Sequence, residues 1–120
     1  MSGGARDALG RWGEDQVALR LEAAGYTILA RRYRTRYGEI DLIAENGTFL
    51  AFVEVKLRRR GGMVSGREAV DARKQERLRR TAQLYLSEHE TGRQPRFDVA
   101  EVTGPDAGGA AEICYMEIAF

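Results

Sequence analysis

The chain has 120 residues, 43% hydrophobic and 31% charged, the size and balance of one globular domain with a single core. The lone cysteine, Cys114, excludes an internal disulfide framework and fits a reducing compartment. No apolar run approaches the ~20 residues of a membrane helix, so a cytoplasmic protein with no membrane partner is expected. The formal net charge of +1 conceals an uneven distribution: residues 31–80 hold fourteen basic and seven acidic side chains, while residues 81–120 hold two basic and seven acidic. Clustered basic charge is the footprint of a polyanion binder, although a solvated arginine-rich surface looks the same in composition.

Residues 1–8 read as a flexible N-terminus and not as a signal peptide, and residues 9–120 as the single domain. From about Asp7 to Ala24 the pattern is helical: Val17, Ala18, Leu21 and Ala24 recur at helical spacing, and Gly25 stands where a C-cap glycine belongs. Glu14 falls on the same stripe. It is either an acid at the stripe's edge near the helix start, where the dipole favours it, or a carboxylate turned into a polar site, since an unpaired buried charge is costly. Tyr26–Ala30 is β-prone. It leads into Arg31, Arg32, Tyr33, Arg34, Thr35, Arg36 and Tyr37, in which basic and aromatic residues interleave. That run suits phosphate contacts and stacking on unpaired bases, or equally an edge strand protected by charge.

Gly38–Ala44 and Phe49–Lys56 read as a hairpin around Asn46-Gly47. Alternation puts Phe49, Ala51, Val53 and Val55 on one face of the second strand and Leu50, Phe52, Glu54 and Lys56 on the other. In the first strand Glu39 and Asp41 share a face, and Ile40, Leu42 and Ala44 take the opposite one. A two-residue loop makes Asp41 diagonal to Glu54; a four-residue loop puts the two acids directly opposite one another. A basic loop, Arg58 to Gly62, follows. A second helix begins with a capping box at Ser65 and Glu68 or with Asp71 as N-cap. Its apolar stripe is Val70, Leu78, Ala82 and Tyr85, widened by Leu84 and Leu86, with Lys74 inside the stripe and Gln75 beside it. Phe97–Val102 is a strand, and Glu112–Phe120 a last one with Cys114, Met116, Ile118 and Phe120 on one face.

Asp41, twelve residues, then Glu54-Val55-Lys56 fits the D…(D/E)-x-K arrangement of metal-dependent nucleases. Mg²⁺ demands an octahedron of oxygens, commonly from one or two carboxylates, with waters and phosphate oxygens completing it. Asp41 and Glu54 supply such carboxylates, and the Val55 backbone carbonyl a third oxygen. Lys56 is one of only two lysines among nineteen basic residues. A compact ammonium there can orient or deprotonate an attacking water, or stabilise developing charge. The spacing alone arises by chance, and Glu54 and Lys56 can be a structural pair. Against that, two acids on one face repel each other unless a cation joins them.

The chain resembles the YraN-like family of small bacterial proteins. The resemblance is carried by Gly13-Glu14, Leu21, Gly25-Tyr26, Arg31, Gly38 to Ala44, Phe52 to Lys56 and Arg58, and by Lys74-Gln75, Arg77-Leu78, Ala82, Tyr85-Leu86 and Arg96 to Val99, across roughly residues 9–120. That family is similar to the restriction-endonuclease-like superfold, near the archaeal Holliday junction resolvases. The resemblance implies an α/β fold: a three-layer α-β-β-β-α-β core with a mixed central sheet and a metal site at Asp41, Glu54 and Lys56. In the resolvases a glutamate of the first helix joins the site, and Glu14 matches it. The proline that often precedes the first acid is here Ile40.

The expected function is a Mg²⁺- or Mn²⁺-dependent endonuclease acting on branched, flapped or single-stranded DNA. Asp41 and Glu54 bind metal, Lys56 assists the water, and Glu14 acts through a second metal or a water. Lys74 and Gln75 contact the scissile phosphate, and Arg31, Arg34, Arg36, Arg58 and Arg59 track the backbone. A junction resolvase needs a two-fold homodimer. The competing readings are a nucleic-acid-binding module of the same fold that does not cut, and an assembly partner for an acidic protein.

Overall fold

The computed structural model describes residues 3–58, 70–104 and 111–120, with side chains from Ala8 onward. The elements are α1 (Gly3–Ala23), β1 (Thr27–Thr35), β2 (Gly38–Glu45), β3 (Phe49–Arg58), α2 (Ala72–Glu88), β4 (Gln94–Thr103) and β5 (Glu112–Met116). The strands form one sheet in the order β1-β2-β3-β4-β5; β3 and β4 are parallel, and the other three pairs are antiparallel. The protein is therefore α/β with a mixed central sheet, in the element order expected and with β5 added at the far edge. Among the described residues no helix is long and apolar enough to cross a membrane.

Each helix covers one face of the sheet. Val17, Ala18 and Leu21 of α1 pack with Leu42, Ala44, Ala51, Val53, Ala100 and Val102. Leu78, Ala82 and Tyr85 of α2 pack with Ile40, Ile43, Leu50, Phe52 and Val99. The central strands β3 and β4 are buried on both faces, which explains their nearly continuous apolar runs. α1 ends on a Schellman turn: the N–H of Gly25 donates to Glu22 O at 3.0 Å and that of Tyr26 to Leu21 O at 2.9 Å, with Gly25 at φ 93°. That turn leaves Ala24 exposed, off the buried stripe. α1 begins at Gly3, taking in part of the stretch read as a flexible lead, because a helix can propagate beyond the turns that pack.

α2 is capped by Asp71, whose side chain accepts the Lys74 N–H at 2.9 Å; Ser65 and Glu68 lie outside the described residues. Leu84 does not widen the buried stripe. It is 36% exposed, because the buried positions Leu78, Thr81, Ala82 and Tyr85 turn it away from the sheet.

Two departures from simple strand alternation matter. First, Ile40 packs under α2 and not with Leu42 and Ala44. The slip lies opposite Arg32, whose φ of 51° is left-handed, and Arg31 and Arg32 consequently both reach toward α1. Second, β5 stops at Met116, and Ile118 leaves the strand with a φ of 53° and 72% exposure. Its N–H donates to Asp98 Oδ1 at 3.1 Å, and that of Ala119 donates to Phe97 O at 2.8 Å. These bonds fold the C-terminus back so that Phe120 stacks on Phe97 at 5.0 Å.

The Asp98 that turns this tail is fully buried. Arg96 Nε donates to it at 2.9 Å and Tyr115 Oη at 2.6 Å, while Arg96 also reaches Tyr26 Oη at 2.6 Å. Burial and the Asp98 charge push the Tyr115 phenol well above its ordinary range. Removing one partner of such a pair strands the other charge without water. Asp98→Ala is expected to cost about 3–5 kcal/mol in urea denaturation, and Tyr115→Phe about 1–3 kcal/mol. A loss below about 1 kcal/mol for Asp98→Ala would show that the cluster is not structural.

Candidate functional site

The acids expected at the hairpin do meet. Leu42 pairs with Val53, Ile43 with Phe52, Ala44 with Ala51 and Glu45 with Leu50. This is the four-residue-loop register, and its continuation sets Asp41 opposite Glu54. Asn46 fixes it: its Oδ1 accepts the N–H of Thr48 at 2.8 Å and of Phe49 at 2.7 Å. Beyond Leu42 and Val53 a side chain takes over the ladder, and the Val55 N–H donates to Asp41 Oδ2 at 2.8 Å. A strand residue turns its N–H and C=O to the same neighbour, so the Val55 carbonyl faces the Asp41 side as well.

Glu54 is 7% exposed and is shared by two ammonium groups. Lys74 Nζ of α2 lies 2.7 Å from its Oε1, and Lys56 Nζ lies 3.3 Å from the same oxygen. Asp41, Glu54 and Lys74 line a cleft of about 270 Å³ with Gly38, Glu39, Arg77 and Leu78. A larger concavity, about 590 Å³, lies at the C-terminal end of α2 along Leu86, His89, Glu90, Thr91 and Gly92. It has no residue in common with the cleft and brings one imidazole and one carboxylate without a lysine, so chemistry and not volume picks out the smaller space.

The electrostatics of the cleft are uneven. Burial pushes the Asp41 carboxyl up to about 7, assisted by the charges of Glu54, Glu14 and Glu39 and opposed by the Val55 N–H. Burial and the neighbouring Lys74 pull Lys56 below the ordinary lysine value. Burial also pulls on Lys74, but the Glu54 carboxylate in contact with it outweighs the loss and holds Lys74 above that value. Two amines sharing one carboxylate thus divide into a firm cation and a weaker one.

Other expected residues lie elsewhere. Glu14 is buried, and its carboxylate accepts from Arg32 Nε at 3.0 and 3.3 Å; it reaches Asp41 through its charge. Arg31 pairs with Asp15, Arg34 with Glu39 at 3.3 Å, and Arg58 with Glu101. Arg36 lies over the Tyr37 ring. The Gln75 amide donates to Val70 O at 3.1 Å and is not among the residues lining the cleft. Arg59 lies outside the described residues. Glu39 and Arg77 also line the cleft, beyond the site residues expected from the sequence; their only signals there are Glu39 two residues from Asp41 and Arg77 three residues from Lys74 on a helix. The reach of Arg32 to Glu14 depends on a left-handed backbone that no sequence pattern announces.

A family model described as "Uncharacterised protein family UPF0102" matches residues 13–102, the span that holds Glu14, the hairpin and Lys74. The chain belongs to the UPF0102 family. It is 47% identical over 105 residues to a UPF0102 protein of Frankia casuarinae, covering 87% of this chain and 89% of that one. It is 52% identical over 102 residues to one of Symbiobacterium thermophilum, covering 82% and 85%. A UPF0102 protein of Syntrophotalea carbinolica is 47% identical over 118 residues, 96% of this chain and 93% of that one. The resemblance to the YraN-like family is thereby borne out.

The raised Asp41 carboxyl makes a test that needs no substrate. Between its ordinary value of 3.8 and about 7, the folded chain holds a proton that the unfolded chain has released. Asp41 therefore costs stability progressively as pH rises through that window. Asp41→Asn keeps an oxygen for the Val55 N–H and removes the charge. It is expected to be more stable than wild type near pH 8, by up to about 4 kcal/mol, with the advantage shrinking toward zero near pH 4. Urea denaturation of both proteins at the two pH values measures this; a gap independent of pH contradicts it.

Proposed function

We propose that this UPF0102 protein is a restriction-endonuclease-like nuclease that hydrolyses phosphodiesters of DNA with Mg²⁺ or Mn²⁺. The observation that carries the reading is that Asp41 of β2 and Glu54 of β3 share one cleft, with Lys56 and Lys74 both on Glu54. A structural ion pair needs one acid and one base; here a second acid is kept beside the first, at the cost of a carboxyl pushed up to about 7.

The donors fit a hard cation. Of the three carboxylates that line the cleft, Glu39 is engaged by Arg34, and Asp41 and Glu54 are the two offered to an ion, with the Val55 carbonyl on the same side; among the described residues no group of three or more His, Cys, Asp or Glu is placed to hold a metal. Mg²⁺ commonly takes one or two carboxylates and fills its octahedron with waters and phosphate oxygens. A site of this kind is completed by its substrate. When bound, the ion supplies Lewis-acid polarisation of the phosphoryl group and lowers the pKa of water.

The chain's own residues divide the remaining work. Asp41, oriented by the Val55 N–H, and Glu54, held between two ammonium groups, are the ligands. Lys56, with its lowered pKa, suits accepting a proton from the attacking water. Lys74 stays cationic and, with Arg77 on the same wall of the cleft, holds the phosphate and offsets the charge that builds on it. Glu14, engaged by Arg32, acts on Asp41 through its charge and not as a ligand.

Labelled single-stranded, duplex, flap and four-way-junction DNA, each with Mg²⁺ or Mn²⁺, is expected to reveal cleavage of at least one substrate. Asp41→Ala, Glu54→Ala and Lys56→Ala should each lower the rate on the order of a hundredfold or more. No cleavage of any substrate, or variants that cut as well as wild type, would sink the reading. DNA binding without cleavage would point instead to a non-cutting binding module.

A further inference from the structure

The turn between β1 and β2 is held more firmly than its closure requires. The Tyr37 N–H donates to Thr35 Oγ1 at 3.0 Å, and that hydroxyl lies 3.3 Å from Oγ1 of Thr81 in α2. Thr81 is fully buried and donates to Arg77 O at 2.8 Å. A Cβ at Gly38 would already touch Thr81 and the Arg77 stem, at 3.7 and 3.8 Å, so the turn lies flat on the helix. A hydroxyl pair thus fixes an edge turn to the helix that carries Lys74 and Arg77.

What the turn presents is an aromatic ring among guanidinium groups. Arg36 Cζ lies 4.9 Å from the Tyr37 ring centre, and its guanidinium donates to Tyr37 Oη at 2.8 Å; Arg80 Cζ lies 5.9 Å from the same ring. Tyr37, Arg80, Gln83, Leu84 and Ser87 line a concavity of about 360 Å³. It adjoins the acid-lined cleft. Tyr37 belongs to this concavity and Gly38 to the cleft, while Arg80 and Arg77 divide in the same way; those arginines stand about one helical turn apart, ~5 Å along α2.

We propose that this concavity is a subsite for an unpaired nucleobase next to the phosphate held in the cleft. Tyr37 and the guanidinium planes offer flat faces for stacking, Gln83 and Ser87 carry donors and acceptors for base edges, and Leu84 gives an apolar floor. A base inside a continuous duplex is already stacked and cannot enter. Resting on the nuclease reading above, the inference narrows its substrate to DNA that is single-stranded at the point of cleavage, as a free strand or a flap. Preorganisation by the Thr35–Thr81 pair means that the platform need not be ordered on binding.

The test is fluorescence anisotropy of the full chain in EDTA, with a labelled single-stranded DNA, its duplex, and the same strand carrying abasic sites. Tyr37→Ala is expected to weaken single-strand binding roughly tenfold, to leave duplex binding unchanged, and to bind the abasic strand as wild type does. Tyr37→Phe should retain binding. Ser87→Phe, which fills the concavity from an exposed position, should reproduce the single-strand loss if Tyr37→Ala fails to fold. Single-strand binding unaffected by both Tyr37→Ala and Ser87→Phe, equal losses on single strand and duplex, or no DNA binding at all overturns the subsite. Because no divalent ion is present, the two readings fail separately. A chain that binds single strands through Tyr37 but cuts nothing keeps the subsite and loses the nuclease; one that cuts but is indifferent to Tyr37 does the reverse.

Discussion

A single amide oxygen sets the register of β2 on β3. Asn46 Oδ1 takes the N–H of both Thr48 and Phe49, closing a loop of four residues between Glu45 and Leu50. Every cross-strand partner follows from that closure, through Leu42 and Val53, and so does the meeting of Asp41 with Glu54. A shift of one residue would turn Glu54 and Lys56 toward α1 and bring Val53 and Val55 under α2. The two cores forbid it, since Leu50 and Phe52 fill one layer while Ala51 and Val53 fill the other. The position of the acids is thus a by-product of packing that the whole sheet enforces.

Where the main-chain ladder gives way, charge takes over. The Val55 N–H is bound by a carboxylate and not by a carbonyl, and opposite Asp41 the edge strand kinks at Arg32 into the left-handed region. The kink lets Arg32 satisfy the buried Glu14. On the other side α2 contributes Lys74 from the turn that Asp71 caps. Each departure from regular structure near the cleft therefore serves a charged group, a pattern found where a fold gives up regularity for a site.

Much of this was legible in the sequence because its signals are local. The Schellman glycine, the Asn-Gly turn, the alternation in β3 and the Asp71 cap each involve neighbours a few residues apart. Asp41, Glu54 and Lys56 were legible because a strand's period of two fixes which side chains share a face. Lys74 stood out as a charge within an apolar stripe. The rest depends on contacts between distant parts of the chain. The face of Ile40 depends on a backbone kink in another strand, and the end of β5 on Asp98, twenty residues before Ile118. The buried cluster of Arg96, Asp98, Tyr115 and Tyr26 joins three regions of the chain. Its sequence trace was only a charged pair spaced by two within an apolar strand.

Asp41 and Glu54 are proposed to form one cation site. It is tested most directly by calorimetric titration of Mn²⁺ into wild type and Asp41→Asn near pH 7, in two buffers of different ionisation enthalpy. With the Asp41 carboxyl at about 7, saturable binding that releases protons is expected, so that the heat differs between buffers, and both binding and buffer dependence should be lost in the variant. Absence of binding in the wild type, or identical binding in Asp41→Asn, would contradict it.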